Sequence, residues 1–159
     1  MIGVCKGLFS RRLEMFEDDL KKWKETEIEF ATRLLRRGAS KIELAPDRKF
    51  TDWDIKARQW ELENTYEVKD DLVSETSGNV WFEFMCNWKM SGVYASKADF
   101  IVYHVDSKFY CIQRPMLLAW LNFVKRERKK WWDGDKSELL IVKKDDFFTF
   151  VNKNWWTIW

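Results

Sequence analysis

Glu67 and Lys69 flank Val68, and in an extended chain residues two apart point to the same side. Asp54 lies upstream of them, and Glu27 lies further upstream still. Two or three acids beside one ammonium group suit a hard divalent cation. Mg²⁺ takes one or two protein carboxylates and completes its shell with waters and substrate phosphate. Asp54 and Glu67 are the candidate ligands, with the backbone carbonyl of Val68 as a further one. Glu27 is placed to reach the same ion directly or through water. A cation held this way lowers the pKa of a bound water and steadies a pentacovalent phosphate. Lys69 would orient that water or offset charge on the scissile phosphate. The chemistry is phosphodiester hydrolysis. A competing arrangement pairs Asp54 and Glu67 with Lys56 and Lys69 across a hairpin, at about 0.2–1 kcal/mol per pair. It leaves like-charged acids on facing strands, which is unfavourable without a cation.

The elements around these residues follow from periodicity. Leu13, Phe16, Leu20 and Trp23 recur at helical spacing over residues 11–24. Thr26 to Glu29 has the spacing of a capping box, so the helix restarts or kinks there. A second segment runs to Arg37 and stops at Gly38. Glu27, Ala31 and Leu34 share its inward stripe, and Glu29, Arg33 and Arg36 form the wet one. An acid on the inward stripe needs a partner or a metal. Lys41–Ala45 is a first strand. Trp53, Ile55 and Ala57 alternate with Asp52, Asp54 and Lys56 in a second, and Tyr66 and Val68 alternate with polar residues in a third. Residues 80–85, 99–105 and 108–113 are further strands, the last two joined by Asp106-Ser107. Pro115 opens a helix with Met116, Leu117, Trp120, Leu121 and Val124 on its apolar side. Trp131–Asp135 is a loop, Leu139–Val142 a short strand, and Asp145 or Asp146 caps a last helix through Val151. This order gives an α/β fold with one mixed sheet flanked by helices.

Composition removes several alternatives. The chain has 159 residues and a net charge of +2, so global electrostatics favour an anionic partner only weakly. Basic residues concentrate at Arg11-Arg12, Arg36-Arg37 and 125–130, read either as solvated helix ends or as nucleic-acid contacts. Cys5, Cys86 and Cys111 form no paired motif. The single histidine, His104, cannot build a zinc site with them. Scattered cysteines fit a reducing compartment. His104 lies within an apolar run and is expected to pack in the core or on the sheet face. No apolar run approaches the roughly 18–20 residues of a membrane span, and the first residues are too interrupted for a secretory signal. A cytoplasmic location is expected.

The stretches Glu27–Gly38, Trp53–Ala57 and Tyr66–Lys69 together resemble the PD-(D/E)XK nuclease superfamily. The order of acid-bearing helix, Asp strand and Glu-x-Lys strand is similar to that of archaeal Holliday-junction resolvases and phage-borne endonucleases. The resemblance covers roughly residues 27–105. It implies a restriction-endonuclease-like fold across 1–159, with DNA hydrolysis that depends on Mg²⁺ or Mn²⁺. It implies metal binding at Asp54 and Glu67, a catalytic Lys69 and a helix acid at Glu27. A homodimer and a phage origin, with the host cytoplasm as location, are in keeping with it. Trp53 stands where the superfamily often has proline, a position at which that proline is frequently missing.

The connection from Ser91 to Asp99 offers Ser96 and Lys97 as phosphate contacts, or serves as a plain polar loop. Eleven tryptophans exceed what one core absorbs with ease. Core packing, a dimer face formed by Trp155–Trp159, and stacking on unpaired bases are the uses open to them. Asp52, Asp70 and Asp71 read as solvated edge charges. Two alternatives stay beside the nuclease reading: a catalytically silent nucleic-acid-binding form of the fold, and an aromatic-rich interaction protein.

Overall fold

The computed structural model describes residues 25–46, 52–133, 135–154 and 157–158. The expected helix over 11–24, Cys5, Arg11-Arg12, Trp155, Trp156 and Trp159 lie outside the described residues. Helix α1 covers residues 25–36 and buries Phe30, Ala31 and Leu34. It ends at Gly38, whose φ of +93° is comfortable only without a Cβ. The Thr26–Glu29 spacing does not act as a capping box. The Thr26 hydroxyl donates to Asp70 Oδ2 (2.9 Å), and Glu29 pairs instead with Arg33 one turn on (2.6 Å).

Strands β1 (Ala39–Leu44), β2 (Ile55–Gln59) and β3 (Leu62–Asp70) form an antiparallel meander. The alternation read from the sequence holds in β2 and β3: Ile55, Ala57, Tyr66 and Val68 turn inward under α1. Phe30 packs edge-on against Tyr66, with ring centroids 5.5 Å apart. Strand β6 (Phe100–Val105) then lies parallel to β3, and β7 (Lys108–Gln113) returns beside it. Asp106 and Ser107 make that turn with φ values of +50° and +62°. Short strand β10 (Thr157–Ile158) pairs with β7, giving a six-stranded sheet in the order β1-β2-β3-β6-β7-β10.

A parallel pair requires a crossover, and here the crossover from β3 to β6 carries more structure of its own. It holds α2 (Ser74–Ser77), β4 (Asn79–Cys86), β5 (Lys89–Met90) and α3 (Gly92–Ala95). Strands β4 and β5 join β8 (Arg126–Asp133) and β9 (Asp135–Lys143) in a second, four-stranded sheet ordered β5-β4-β9-β8. The molecule is thus a mixed α/β fold with two sheets rather than the one expected. Val80, Phe82, Leu140 and Val142 of the second sheet share a core with Ile101, Tyr103 and Ile112 of the first. Leu117 and Leu121 of α4 (Arg114–Phe123) and Phe147 and Val151 of α5 (Lys144–Lys153) complete that core.

Three expectations fail in this second sheet, for one reason. The run from Arg126 to Lys130 is strand, not a helix end. Helix α4 stops at Phe123, and β8 then pairs along β9. Trp131–Asp133 and Asp135, expected within a loop, continue these strands, and the short strand at Leu139–Val142 extends over Asp135–Lys143. Cross-strand partners decide these residues rather than their local pattern. The Arg128 guanidinium, for example, lies 4.8 Å over the Phe84 ring and donates twice to Glu138 Oε2 (2.8 and 2.6 Å). Asp145 and Asp146 sit in the first turn of α5, where their charge suits the helix dipole, but neither side chain makes a capping bond. No helix among the described residues is long and apolar enough to cross a membrane.

Candidate active site

Strand β3 divides two environments. Tyr66, Val68 and Asp70 face α1, and Glu67, Lys69 and Asp71 face the second sheet. Asp54 sits in a bend immediately before β2. Its N–H donates to the Tyr66 carbonyl (2.9 Å), and its Oδ2 accepts the Val68 N–H (2.7 Å). The carboxylate thus occupies the ladder position that β2 would fill if it began one residue earlier. A residue's N–H and C=O lie on the same strand edge, so the Val68 carbonyl is on the Asp54 side of β3.

The Lys69 ammonium contacts Glu67 Oε1. Ser96 is buried, and its hydroxyl donates toward Glu67 Oε2 (3.4 Å) while accepting the Ala98 N–H (3.1 Å). Glu67 is therefore held from both sides. Burial and the Glu67 carboxylate raise Asp54 to about 6, against the opposing pull of Lys69 and the Val68 N–H. Burial works against the Lys69 charge. Glu67 and Asp54, with Glu83 behind them, outweigh it and hold the lysine above its ordinary value. Two acids and one ammonium thus share a poorly solvated spot, and Asp54 keeps its charge there only with difficulty.

Of the residues expected at the site, Asp54, Glu67, Lys69 and Ser96 come together, with Val68 between them. Lys97 lies beside this group on the surface, with its Nζ 3.0 Å from Asp52 Oδ1. Glu27 is half-buried near the start of α1, next to the Thr26 that bonds Asp70. No group of three or more His, Cys, Asp or Glu side chains that could hold a metal ion occurs among the described residues. The close donor set is one of two carboxylates and a carbonyl, which is within what Mg²⁺ takes from protein.

Asp70 and Asp71 are not solvated edge charges. Asp71 is buried, and its carboxylate accepts the N–H groups of Ser74 (3.0 Å) and Trp81 (2.9 Å), anchoring α2 and β4. Asp70 accepts from Thr26 and lies 3.0 Å from Nδ1 of His104. His104 stacks on Phe109 with centroids 4.5 Å apart, so it packs on the sheet face as expected and has an acid partner there.

Glu83 was missed from the sequence. Its Oε2 accepts from Ser137 (3.3 Å), and its charge acts on Lys69. A lone acid inside the apolar run from Val80 to Met85 was the available signal. Gly92 was missed as well. A Cβ there would sit 2.2 Å from the Glu83 carbonyl oxygen, so only glycine lets α3 press on β4 and hold the loop that delivers Ser96. Asp99 was the third. It accepts both the N–H and the hydroxyl of Thr65 (2.8 Å each), pinning β6 to β3 beside Glu67.

No family model matches this chain, and neither any curated protein nor any solved structure is matched by it.

Proposed function

We propose that this protein is a metal-dependent DNA endonuclease with a restriction-endonuclease-like core formed by α1 and the six-stranded sheet. One observation supports the reading above the rest: Asp54 and Glu67 share a half-buried spot with a single lysine, and desolvation with the Glu67 charge raises the pKa of Asp54 to about 6. Two carboxylates against one ammonium leave a net negative charge that a bound cation would balance. Asp54, Glu67 and the Val68 carbonyl would hold Mg²⁺ or Mn²⁺, with Glu27 contributing through water. When bound, the ion would supply Lewis acidity at the phosphate and a water of lowered pKa. Lys69 would move off Glu67 to orient the attacking water and offset the charge gathering on the phosphate. Ser96 would keep Glu67 aimed at the ion, and Lys97 would contact the backbone of the DNA. Action in a cytoplasm, as a dimer that cuts both strands, belongs to the same proposal.

One observation favours a silent, binding-only form of the fold. Both Glu67 oxygens are engaged, by Lys69 and by Ser96. Incubation with linear, nicked and branched DNA in Mg²⁺ or Mn²⁺ separates the two. Metal-dependent cleavage that is lost in Glu67→Ala supports the nuclease. Salt-dependent DNA binding with no cleavage of any substrate supports the silent form.

A further inference from the structure

Two-residue hairpins favour type I′ and II′ turns, which place one or both central residues at positive φ and so select Gly, Asn or Asp there. The turn between β6 and β7 follows this rule at Asp106 and has only the small Ser107 at its second positive φ. Two further exposed tips among the described residues carry tryptophan at positive φ. Between β4 and β5 the central pair is Asn87 (φ +48°) and Trp88 (φ +66°), with tryptophan at the position where type I′ turns carry glycine. Between β2 and β3 the pair is Trp60-Glu61. Trp60 has φ +57°, at the position where type II′ turns carry glycine. A bulky side chain in this region is a steric outlier. Burial does not repay that strain, because Trp60 is 88% and Trp88 65% exposed.

The Trp88 tip also stands beside cations, and the Trp60 tip is tied to the helix that carries Arg36 and Arg37. The Lys136 ammonium lies 5.4 Å from the centre of the Trp88 ring. Trp88, Met85, Lys130, Lys136 and Ser137 line one hollow, whose single acid, Glu138, is paired with Arg128. At the other tip, the Gln59 amide donates to the Arg37 carbonyl (3.3 Å), which joins the β2–β3 turn to the basic end of α1. Arg36 and Arg37 line a cleft along that helix together with Thr32, Glu29 and Arg33, and Arg33 itself is turned to Glu29 and over the Phe109 ring. An exposed indole face with nearby ammonium or guanidinium groups is the usual means of holding an unpaired base and its phosphate. Fully paired duplex offers no free base face to such a tip.

We propose that Trp60 and Trp88 are stacking residues for unpaired bases, so that the nucleic acid bound by this protein includes a single-stranded segment. The nucleic-acid partner rests on the function proposed above, and the stacking role is carried by the two turns. Strain at the tips is retained because the tips bind.

The test uses the full chain with two probes, a fluorescein-labelled oligothymidylate of about 15 nucleotides and a blunt duplex of equal length. Trp60→Gly and Trp88→Gly should each weaken oligothymidylate binding roughly 5- to 100-fold and leave duplex affinity unchanged. Neither variant should lower the melting temperature, because glycine suits both turns. Trp88→Phe should retain most of the binding. Unchanged oligothymidylate binding in both glycine variants overturns the proposal. Equal losses on both probes overturn it in favour of a general charged surface. A lower melting temperature in both variants overturns it in favour of a structural role. If the oligothymidylate result holds but no substrate is cleaved, the nuclease reading fails and the stacking role stands. If cleavage is seen and the tryptophans do not matter, the reverse is true.

Discussion

Four acids gather at or beside strand β3 — Glu67 and Asp70 on it, Asp71 just after it and Asp54 bonded to its Val68 N–H — and they divide into two kinds. Asp70 and Asp71 are held as structure. Asp71 ties down the N–H groups of Ser74 and Trp81, and Asp70 joins Thr26 of α1 to His104 of β6. Asp54 and Glu67 face each other's charge instead. They share Lys69 and receive one backbone N–H and one serine hydroxyl between them. Burial raises the pKa of Asp71 as it does that of Asp54, but the raised value at Asp54 also has a neighbouring carboxylate behind it. Burial alone therefore does not mark a functional acid. What distinguishes Asp54 is that a second carboxylate, Glu67, adds to its desolvation, with Lys69 as the one opposing cation named beside it.

The sharpest way to break this comparison is to delete one acid of each kind. Glu67→Ala should remove metal-dependent cleavage, a fall of about a thousandfold or more in rate, with little change in unfolding free energy. Asp71→Ala should do the opposite. It strands two buried N–H groups and should cost about 3 kcal/mol in denaturant unfolding, while the molecules that remain folded keep their activity. If the two variants exchange phenotypes, the division is wrong.

The pH dependence sharpens the same contrast. Asp54 has a folded pKa of about 6 against an ordinary value of 3.8. Between those values the native state binds more protons than the unfolded chain, so stability falls as pH rises from about 4 to about 6 and levels off above. The loss should be on the order of 2 kcal/mol without metal. Asp54→Asn should remove that slope, and saturating Mg²⁺ should restore the stability lost at pH 7. Denaturant melts at pH 4.5 and pH 7, with and without Mg²⁺, provide the check.

A smaller effect is expected one layer out. Ser96→Ala frees Glu67 on one side without touching its charge. Apparent metal affinity or cleavage rate should fall roughly tenfold, with a stability loss of about 1 kcal/mol from the Ala98 N–H left without its acceptor. A large stability loss instead would make Ser96 a packing residue of the loop before β6.

Much of this site was legible in the sequence because it rests on local pattern. Period-two alternation placed Glu67 and Lys69 on one side of β3, and helical spacing put Ala31 and Leu34 against it. The second sheet was not legible. Strand β4 leaves the crossover and finds β9 more than fifty residues later, so nothing near Trp131–Asp133 marks those residues as strand. Asp70 and Asp71 were misread for a related reason. Their partners Thr26, His104 and Trp81 come from three separate elements, and a charged pair at the end of a strand looks solvated until those elements are in place.

The central claim is that Asp54 and Glu67 form one cation site. Calorimetric titration of Mn²⁺ into the protein at pH 7 tests it most directly, alongside Asp54→Asn, Glu67→Gln and Asp71→Asn. The expected result is one site per chain in the unsubstituted protein and in folded Asp71→Asn, and none in Asp54→Asn or Glu67→Gln. No Mn²⁺ binding by the unsubstituted protein, or binding that survives both Asp54→Asn and Glu67→Gln, would contradict it.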